Sequence, residues 1–464
     1  MSKKGLSVAV VGHANAGKTS LMRTLLRDPA FGEVADQAGT TRHVEGGALL
    51  IDEHNSLALF DTPGLEDSMR LHHILSGYFT DHSVDGVERI QKFLAHHTQY
   101  PELEQEAKVL RTLLNNDLIF YVVDLREPIL GKYRDELQIL SYAAKPIIPV
   151  LNFTKQGHAN LEQWKMQLAR LNFHAFVCFD NVHFKFIDEI KIYQKMQTLL
   201  ADKEDLLQEF INQRHVQWSE RFNAASVIVA NLFVESACVR YKAVNTEQEI
   251  KQASVKLQQA VRSAERKCVR RLLTLYQFRK EDLEKSELPV EQDGWPLDLF
   301  SADNLQEFGI KLTGNIAKGA GLGVTVDLVT GGMTLGVAAL TGGIAGALWG
   351  VKQRYYDEIQ AKIKGNRYIC LNDTTLQVLW LRQMKLLALL QQRGHASLDK
   401  IDYQVSQHKQ KNEMPKNWSK WLRKSRNHPH WSSLNINGAD LDDSQRLLFI
   451  EQVSAEIVNG LSDL

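Results

Sequence analysis

Gly12-His13-Ala14-Asn15-Ala16-Gly17-Lys18-Thr19 is a run of residues suited to holding an anion. Glycines at both ends let the backbone curl until successive N–H groups point inward, and a helix beginning at the lysine adds its partial positive charge. In such a loop Lys18 reaches the β- and γ-phosphates of a nucleoside triphosphate and the Thr19 hydroxyl ligates Mg²⁺. The candidate nucleotide-binding residues are therefore Gly12, His13, Ala14, Asn15, Ala16, Gly17, Lys18, Thr19 and Ser20.

Two further groups follow in order. Gly39-Thr40-Thr41-Arg42 lies in a polar, glycine-containing stretch, and Asp61-Thr62-Pro63-Gly64 closes an apolar run. Thr41 can offer its hydroxyl to Mg²⁺ when a γ-phosphate is present, and Asp61 can hold the same ion through water. Gly64 has no Cβ to keep its N–H away from the γ-phosphate. Loops held this way let go on hydrolysis, which makes a switch. The metal set is thus Thr19, Thr41 and Asp61, with Thr41 and Lys18 also candidate catalytic groups.

The elements that must position these residues are legible. Leu6 to Val11 is an apolar strand running into the loop, and Ser20 to Leu26 has helical spacing. Ala48 to Ile51 and Leu57 to Phe60 flank a polar turn and read as a β-hairpin. Asp117 to Asp124 and Ile147 to Leu151 read as buried strands.

With these motifs the chain resembles the Era/TrmE/EngA branch of the bacterial P-loop GTPases, over roughly its first 185 residues. Beyond them it looks like a bacterial group in which such a domain is fused to a helical region of unassigned function. The resemblance implies an α/β domain over 1–189, with a mostly parallel sheet and helices on both faces. It implies GTP and GDP as ligands, Mg²⁺ as cofactor and hydrolysis of the β–γ phosphoanhydride. In Ras-like enzymes a glutamine after the second switch glycine orients water; here Leu65 stands there, so turnover should be slow without help. Relatives of this branch use K⁺, and the loop asparagine matching Asn15 is one of its ligands. Asn15 is therefore a catalytic candidate beside the plainer reading of a turn-bracing amide. Arg42 would act in trans only if two G domains meet as a dimer.

The guanine motif of such proteins, Asn-Lys-x-Asp, is broken. Asn152 survives, but Phe153 replaces the lysine and Lys155 stands where the carboxylate should be. A cation cannot accept from guanine N1–H and N2–H₂. Asp180, at the end of the later run Phe176 to Asn181, is the candidate substitute; the alternative is a loop or cap aspartate.

The stretch at about 65–116 is an extended insertion with helical runs and the pairs His72-His73 and His96-His97. Adjacent helical residues point about 100° apart and no acidic or cysteine partner has ligand spacing, so these histidines are not read as a metal site. The insertion is expected to face a partner or another domain. Residues 190–464 are expected to form an all-α domain, packed as a bundle.

One segment of it, 316–350, is glycine-rich and apolar, with Lys318 and Asp327 its only charges. It reads as a helix or helical hairpin engaging the inner membrane or a membrane protein, as a hairpin buried in the bundle, or as a flexible glycine loop. Downstream, basic residues interleave with Trp418, Trp421 and Trp431, which fits lipid headgroups, RNA stacking or a solvated helix with packed tryptophans. RNA is the less favoured partner, since no KH-type clamp surrounds Gly319, Gly321 and Gly323.

Bulk properties are consistent with this. At 464 residues the chain has room for two or three domains. Its 55 basic and 55 acidic side chains cancel, so no global charge draws it to nucleic acid or anionic lipid. Four scattered cysteines without a C-x-x-C pair suit a reducing cytoplasm, and Met1-Ser2-Lys3-Lys4 gives no secretory signal. The expected location is cytoplasmic, peripheral to or inserted at the inner membrane.

Overall fold

The computed structural model describes residues 5–28, 31, 44–50, 55–77, 85–155, 158–181, 184–278, 295, 297–301, 324–327, 366–392, 414–435 and 438–461. Its contacts divide into two compact units. One comprises Met1–Ser219 with the short stretches Gln277–Ser286 and Gln391–Lys400, and the other Glu220–Tyr276, Glu287–Leu390 and Ile401–Leu464.

The first unit is built on a six-stranded sheet. Its strands are β1 (Leu6–Gly12), β2 (Glu45–Leu50), β3 (Ser56–Asp61), β4 (Leu118–Asp124), β5 (Ile147–Asn152) and β6 (Val177–Cys178), in the order β2-β3-β1-β4-β5-β6. Only the β2–β3 pair is antiparallel. That pair is the expected hairpin.

Central strands are apolar on both faces because helices cover both. Leu6, Val8 and Val10 of β1 join one core with α1 (Lys18–Leu26), α7 (Phe186–Leu199) and the start of α8 (Glu204–Cys238). Ala9 and Val11 join the other, with α2 (Ser68–Gly77), α3 (Gly86–His96), α4 (Glu104–Asn115), α5 (Gly131–Tyr142) and α6 (Leu161–Arg170). The expected α/β sheet with helices on both faces is what forms.

The insertion at 65–116 spends its apolar face inside this unit. Leu71, Leu75, Ile90, Phe93 and Leu110 are fully buried in the second core. Asp85 caps α3, accepting from Glu88 N at 2.8 Å, and a Cβ on Gly86 would lie 2.7 Å from Tyr142 Cα. Three of the four paired histidines have partners. His72 meets Asp135 at 3.0 Å, His96 meets the Lys92 carbonyl at 2.8 Å, and His97 meets Arg111 at 2.8 Å.

The unit continues beyond residue 189. Leu207, Phe210 and Ile211 of α8 complete the core on which α1 and α7 lie. Glu189 of α7 is fully buried between two guanidiniums, Arg27 after α1 and Arg214 of α8. Arg27 Nη2 is 3.1 Å from Glu189, and Tyr193 donates its hydroxyl to the same carboxylate at 3.0 Å.

The second unit is mainly helical, as expected, and adds a three-stranded antiparallel sheet that the sequence reading did not anticipate. Its strands are β7 (Arg240–Val244), β8 (Val324–Asp327) and β9 (Asn366–Leu371), in the order β7-β9-β8. Helices α9 (Glu247–Leu275), α10 (Asp373–Gln392), α11 (Trp418–Arg426) and α12 (Ser444–Leu461) make up the rest, with the C-terminal half of α8. Within the segment 316–350 only β8 is described. A helical hairpin beginning at 316 is therefore corrected at Val324–Asp327, which pair with β9 as a strand. The remainder of that segment lies outside the described residues, and no helix among the described residues is long and apolar enough to cross a membrane.

Of the three readings of the tryptophans, the packed one is what forms. Trp418 and Trp421 are buried with Phe233 and Trp380, ring centroids 5.0 to 6.0 Å apart. Trp431 is fully buried, stacked on His428 at 4.0 Å, and donates its indole N–H to Asp443 at 2.8 Å. None is a platform for stacking bases or for lying on a membrane; their basic neighbours Lys420, Arg423 and Arg426 occupy the exposed face of α11. All four cysteines are free thiols. Burial pushes the Cys238 thiol up to about 12, so it is inert.

Candidate functional site

The anion loop occupies the turn from β1 into α1, and its backbone requires the residues found there. Gly12 and Gly17 have φ of 151° and 95°, and Asn15 sits at φ 61°. Asparagine tolerates the left-handed region better than most side chains. Asn15 is exposed. At Gly17 a Cβ would lie 2.4 Å from Asn152 Nδ2, so a larger residue would break the seam beneath the loop.

Lys18 is buried, and its ammonium donates to the carbonyls of Gly12 at 3.1 Å and His13 at 3.0 Å. Burial lowers its pKa, against the pull of Asp61, Glu136 and Glu66. Among the described residues its hydrogen bonds go to neutral carbonyls, which leaves a desolvated cation in the loop that phosphate would neutralise.

Thr19 Oγ1 donates to Asp61 Oδ2 at 2.5 Å, bringing together the two metal-ligand candidates on the described residues. Asp61 Oδ1 is buried without a hydrogen-bond partner. Burial raises the Asp61 pKa, with Lys18 opposing. An orphaned carboxylate oxygen beside a hydroxyl is a hard, anionic oxygen set, and it fits Mg²⁺. Thr41, with Gly39, Thr40 and Arg42, lies outside the described residues.

Gly64 packs on the loop itself: a Cβ there would meet Ala14 N at 2.8 Å. Leu65 is fully buried in the core, and its N–H reaches the Gly12 carbonyl at 3.4 Å. Ser20 continues the loop into α1, and its carbonyl accepts from Thr24 Oγ1 at 3.0 Å.

Asn152 is fully buried and ties three segments together. Its Nδ2 donates to the Ala16 carbonyl at 3.1 Å. Its Oδ1 accepts from Phe153 N at 2.8 Å and Asn181 N at 3.0 Å. Asn181 in turn donates to the Gly17 carbonyl at 3.0 Å. The ends of β5 and β6 are thus fastened to the loop.

A second network was missed in the sequence. Glu136 of α5, fully buried, accepts from His13 Nδ1 at 2.9 Å and from the Tyr121 hydroxyl at 2.7 Å. Lys132 donates to His13 Nε2 at 2.8 Å, which assigns the proton to Nδ1; the same Nδ1 faces the Leu65 carbonyl at 3.0 Å. His13 therefore links the anion loop, the segment after Gly64 and α5. The available signal was a carboxylate on the apolar stripe Tyr133, Glu136, Leu137 and Leu140 of α5.

Comparison with known families adds to this geometry. A family model described as a domain of unknown function (DUF3482) matches residues 165–455, and one described as a 50S ribosome-binding GTPase matches residues 7–153. The tRNA modification GTPase MnmE of Helicobacter pylori (strain Shi470) is 31% identical over 150 residues, covering 32% of this chain and 26% of that protein. MnmE of Streptococcus gordonii is 28% identical over 232 residues, covering 47% of this chain and 40% of its own. The chain thus spans well under half the length of these relatives. Among solved structures, Era in complex with MgGDPNP and nucleotides 1506–1542 of 16S ribosomal RNA is 20% identical, with a TM-score of 0.31, over 42% of this chain and 56% of that one.

Proposed function

From a chain that belongs to the DUF3482 family and carries a P-loop GTPase domain of the MnmE and Era type ahead of that domain, we infer a GTP-binding switch that hydrolyses GTP to GDP and phosphate. The observation that carries this is the convergence of buried Lys18, Thr19 and the orphaned Asp61 oxygen on one loop. Thr19 and Asp61, with Thr41, would hold Mg²⁺, which when bound neutralises charge on the phosphates. Lys18 and the loop N–H groups orient the triphosphate; Gly64 keeps the second switch against the loop.

Leu65 is inside the core, so no side chain at that position orients water. The exposed Asn15 amide is our candidate ligand for K⁺. Phosphate release measured in K⁺ and in Na⁺, with Asn15→Ala alongside, tests this. Faster turnover in K⁺ that Asn15→Ala abolishes supports the assignment, and equal rates in both salts remove it. The GTPase reading itself is tested by binding and turnover of GTP against ATP with Mg²⁺. ATP bound and hydrolysed as well as GTP would overturn it.

The His13 network acts on position rather than on phosphate. Glu136→Gln keeps the volume but turns one acceptor into a donor against Tyr121 or His13. We expect turnover to fall roughly five- to tenfold, the value of one misplaced hydrogen bond, with nucleotide affinity within about twofold. Single-turnover hydrolysis beside a nucleotide titration separates the two.

For the second unit we propose engagement of a membrane or membrane protein through 328–350, which carries no charged side chain. Deleting 328–350 spares β8 and should release the protein from membranes in fractionation. An intact protein recovered wholly in the soluble fraction removes this reading. One observation favours RNA as the alternative. Arg266, Lys267, Arg270 and Arg271 line an open groove with Ile228 and Thr274 between α8 and α9. Their i, i+4 spacing places cations about 6 Å apart along the helix. RNA binding that weakens with salt and is lost in Arg266→Glu/Arg270→Glu would favour it.

A further inference from the structure

The broken guanine motif leaves a definite question: which acceptor reads the base. The geometry points to Asp180, at the end of β6, as the residue that accepts from guanine N1–H and N2–H₂ in place of the aspartate missing at position 155. This rests on the GTP reading above and deepens it.

Two observations carry it. First, Asp180 is brought to the right backbone. Its Oδ2 accepts from Thr154 Oγ1 at 3.3 Å and from the Lys155 N–H at 3.4 Å. The carboxylate therefore lies against the residue from which the family's aspartate would project. Second, its place is fixed by the seam under the phosphate loop. Asn181, the next residue, donates to Gly17 O, and its N–H is held by Asn152. Asn181 Oδ1 is buried without a partner, a second acceptor in the same loop. Beside them Phe153 sits at φ 56°, its ring covered by Arg126 at 3.7 Å.

The chemistry discriminates sharply. Guanine offers two parallel donors, which match the two oxygens of a carboxylate. Adenine offers none in that arrangement. Xanthine keeps the N1–H donor but has a carbonyl at position 2, which repels a carboxylate and accepts from an amide. Lys155 and Lys185 both act on the local field, and burial with Lys185 lowers the Lys155 pKa while Asp180 raises it.

The test is a change of preference rather than a loss. In the wild-type protein, inosine triphosphate, which lacks the N2 amino group, should bind about tenfold or more weaker than GTP. Asp180→Asn should weaken GTP by about tenfold or more and strengthen xanthosine triphosphate by a similar factor. An unchanged GTP affinity in Asp180→Asn overturns the proposal. So does a GTP loss without a gain for xanthosine triphosphate, which marks a structural role. Should Asp180→Asn not fold, wild-type inosine triphosphate binding as tight as GTP overturns it alone. Wild-type ATP as tight as GTP instead brings down the GTP reading itself, and so the two failures are distinguishable.

Discussion

Lys18→Met lowers GTP turnover by roughly 10²- to 10³-fold and leaves the nucleotide-free melting temperature unchanged or raised. The loss follows from removing a cation aimed at the phosphates in a site where its charge is poorly screened. The stability result follows from the same burial. Burial lowers the Lys18 pKa against the pull of Asp61, Glu136 and Glu66, and its ammonium donates to the Gly12 and His13 carbonyls. A methionine of similar length fills the space without that desolvation. Hydrolysis and thermal melts on the same preparation check both halves. A variant that loses activity together with several degrees of stability would show that Lys18 is structural.

Glu189→Ala should cost about 3–5 kcal/mol, because it strands two buried guanidiniums. Arg27 and Arg214 are each only 6% exposed in their side chains, and Glu189 is the carboxylate both use. At roughly 2–4 °C per kcal/mol for a unit of this size, the melting transition of the first unit falls by about 6–20 °C. The transition that nucleotide raises identifies that unit in a calorimetric scan.

Its pH dependence follows from the direction of the shift. Burial alone would raise the Glu189 pKa, but Arg214 and Arg27 outweigh it and hold it below the ordinary value. The stabilisation is therefore present above the unfolded-state pKa, about 4.3. It is lost as pH falls through the lower folded-state value. Glu189→Ala should lack that acid limb, and a similar pH slope in both proteins would contradict the assignment.

The phosphate loop, its strand and its helix were legible because their chemistry is local. Gly12 to Thr19 specify a turn within eight consecutive residues, and the β2–β3 hairpin shows itself by apolar runs on either side of a polar turn. His13 was legible as a loop residue but not as the partner of Glu136, which is far away in sequence and joined to it only by the packing of α5 on the sheet. Asp180 was visible as an acidic residue at a strand end. Its proximity to Lys155 depends on the parallel β5–β6 pairing, which short strands do not announce.

Composition left the tryptophans of α11 open to three readings, and periodicity was the better guide to the packed one. Trp418, Trp421, Leu422 and Ser425 recur at three- and four-residue steps and are the buried face. Strand β8 was hidden in an apolar glycine-rich run that has no alternation to distinguish strand from helix. Apolar residues of α7 and early α8, on both sides of position 190, complete the sheet's core.

Leu65 has an evolutionary consequence. The nearest route to a self-sufficient hydrolase would be a glutamine there, yet the position belongs to the core. It is closed by full burial and by its backbone ties to Gly12 and His13. An amide introduced there would be buried unpaired, at a cost of about 1–3 kcal/mol, before it met any water. A glutamine side chain at this site would lie in the core, turned away from any water that approaches the loop from outside.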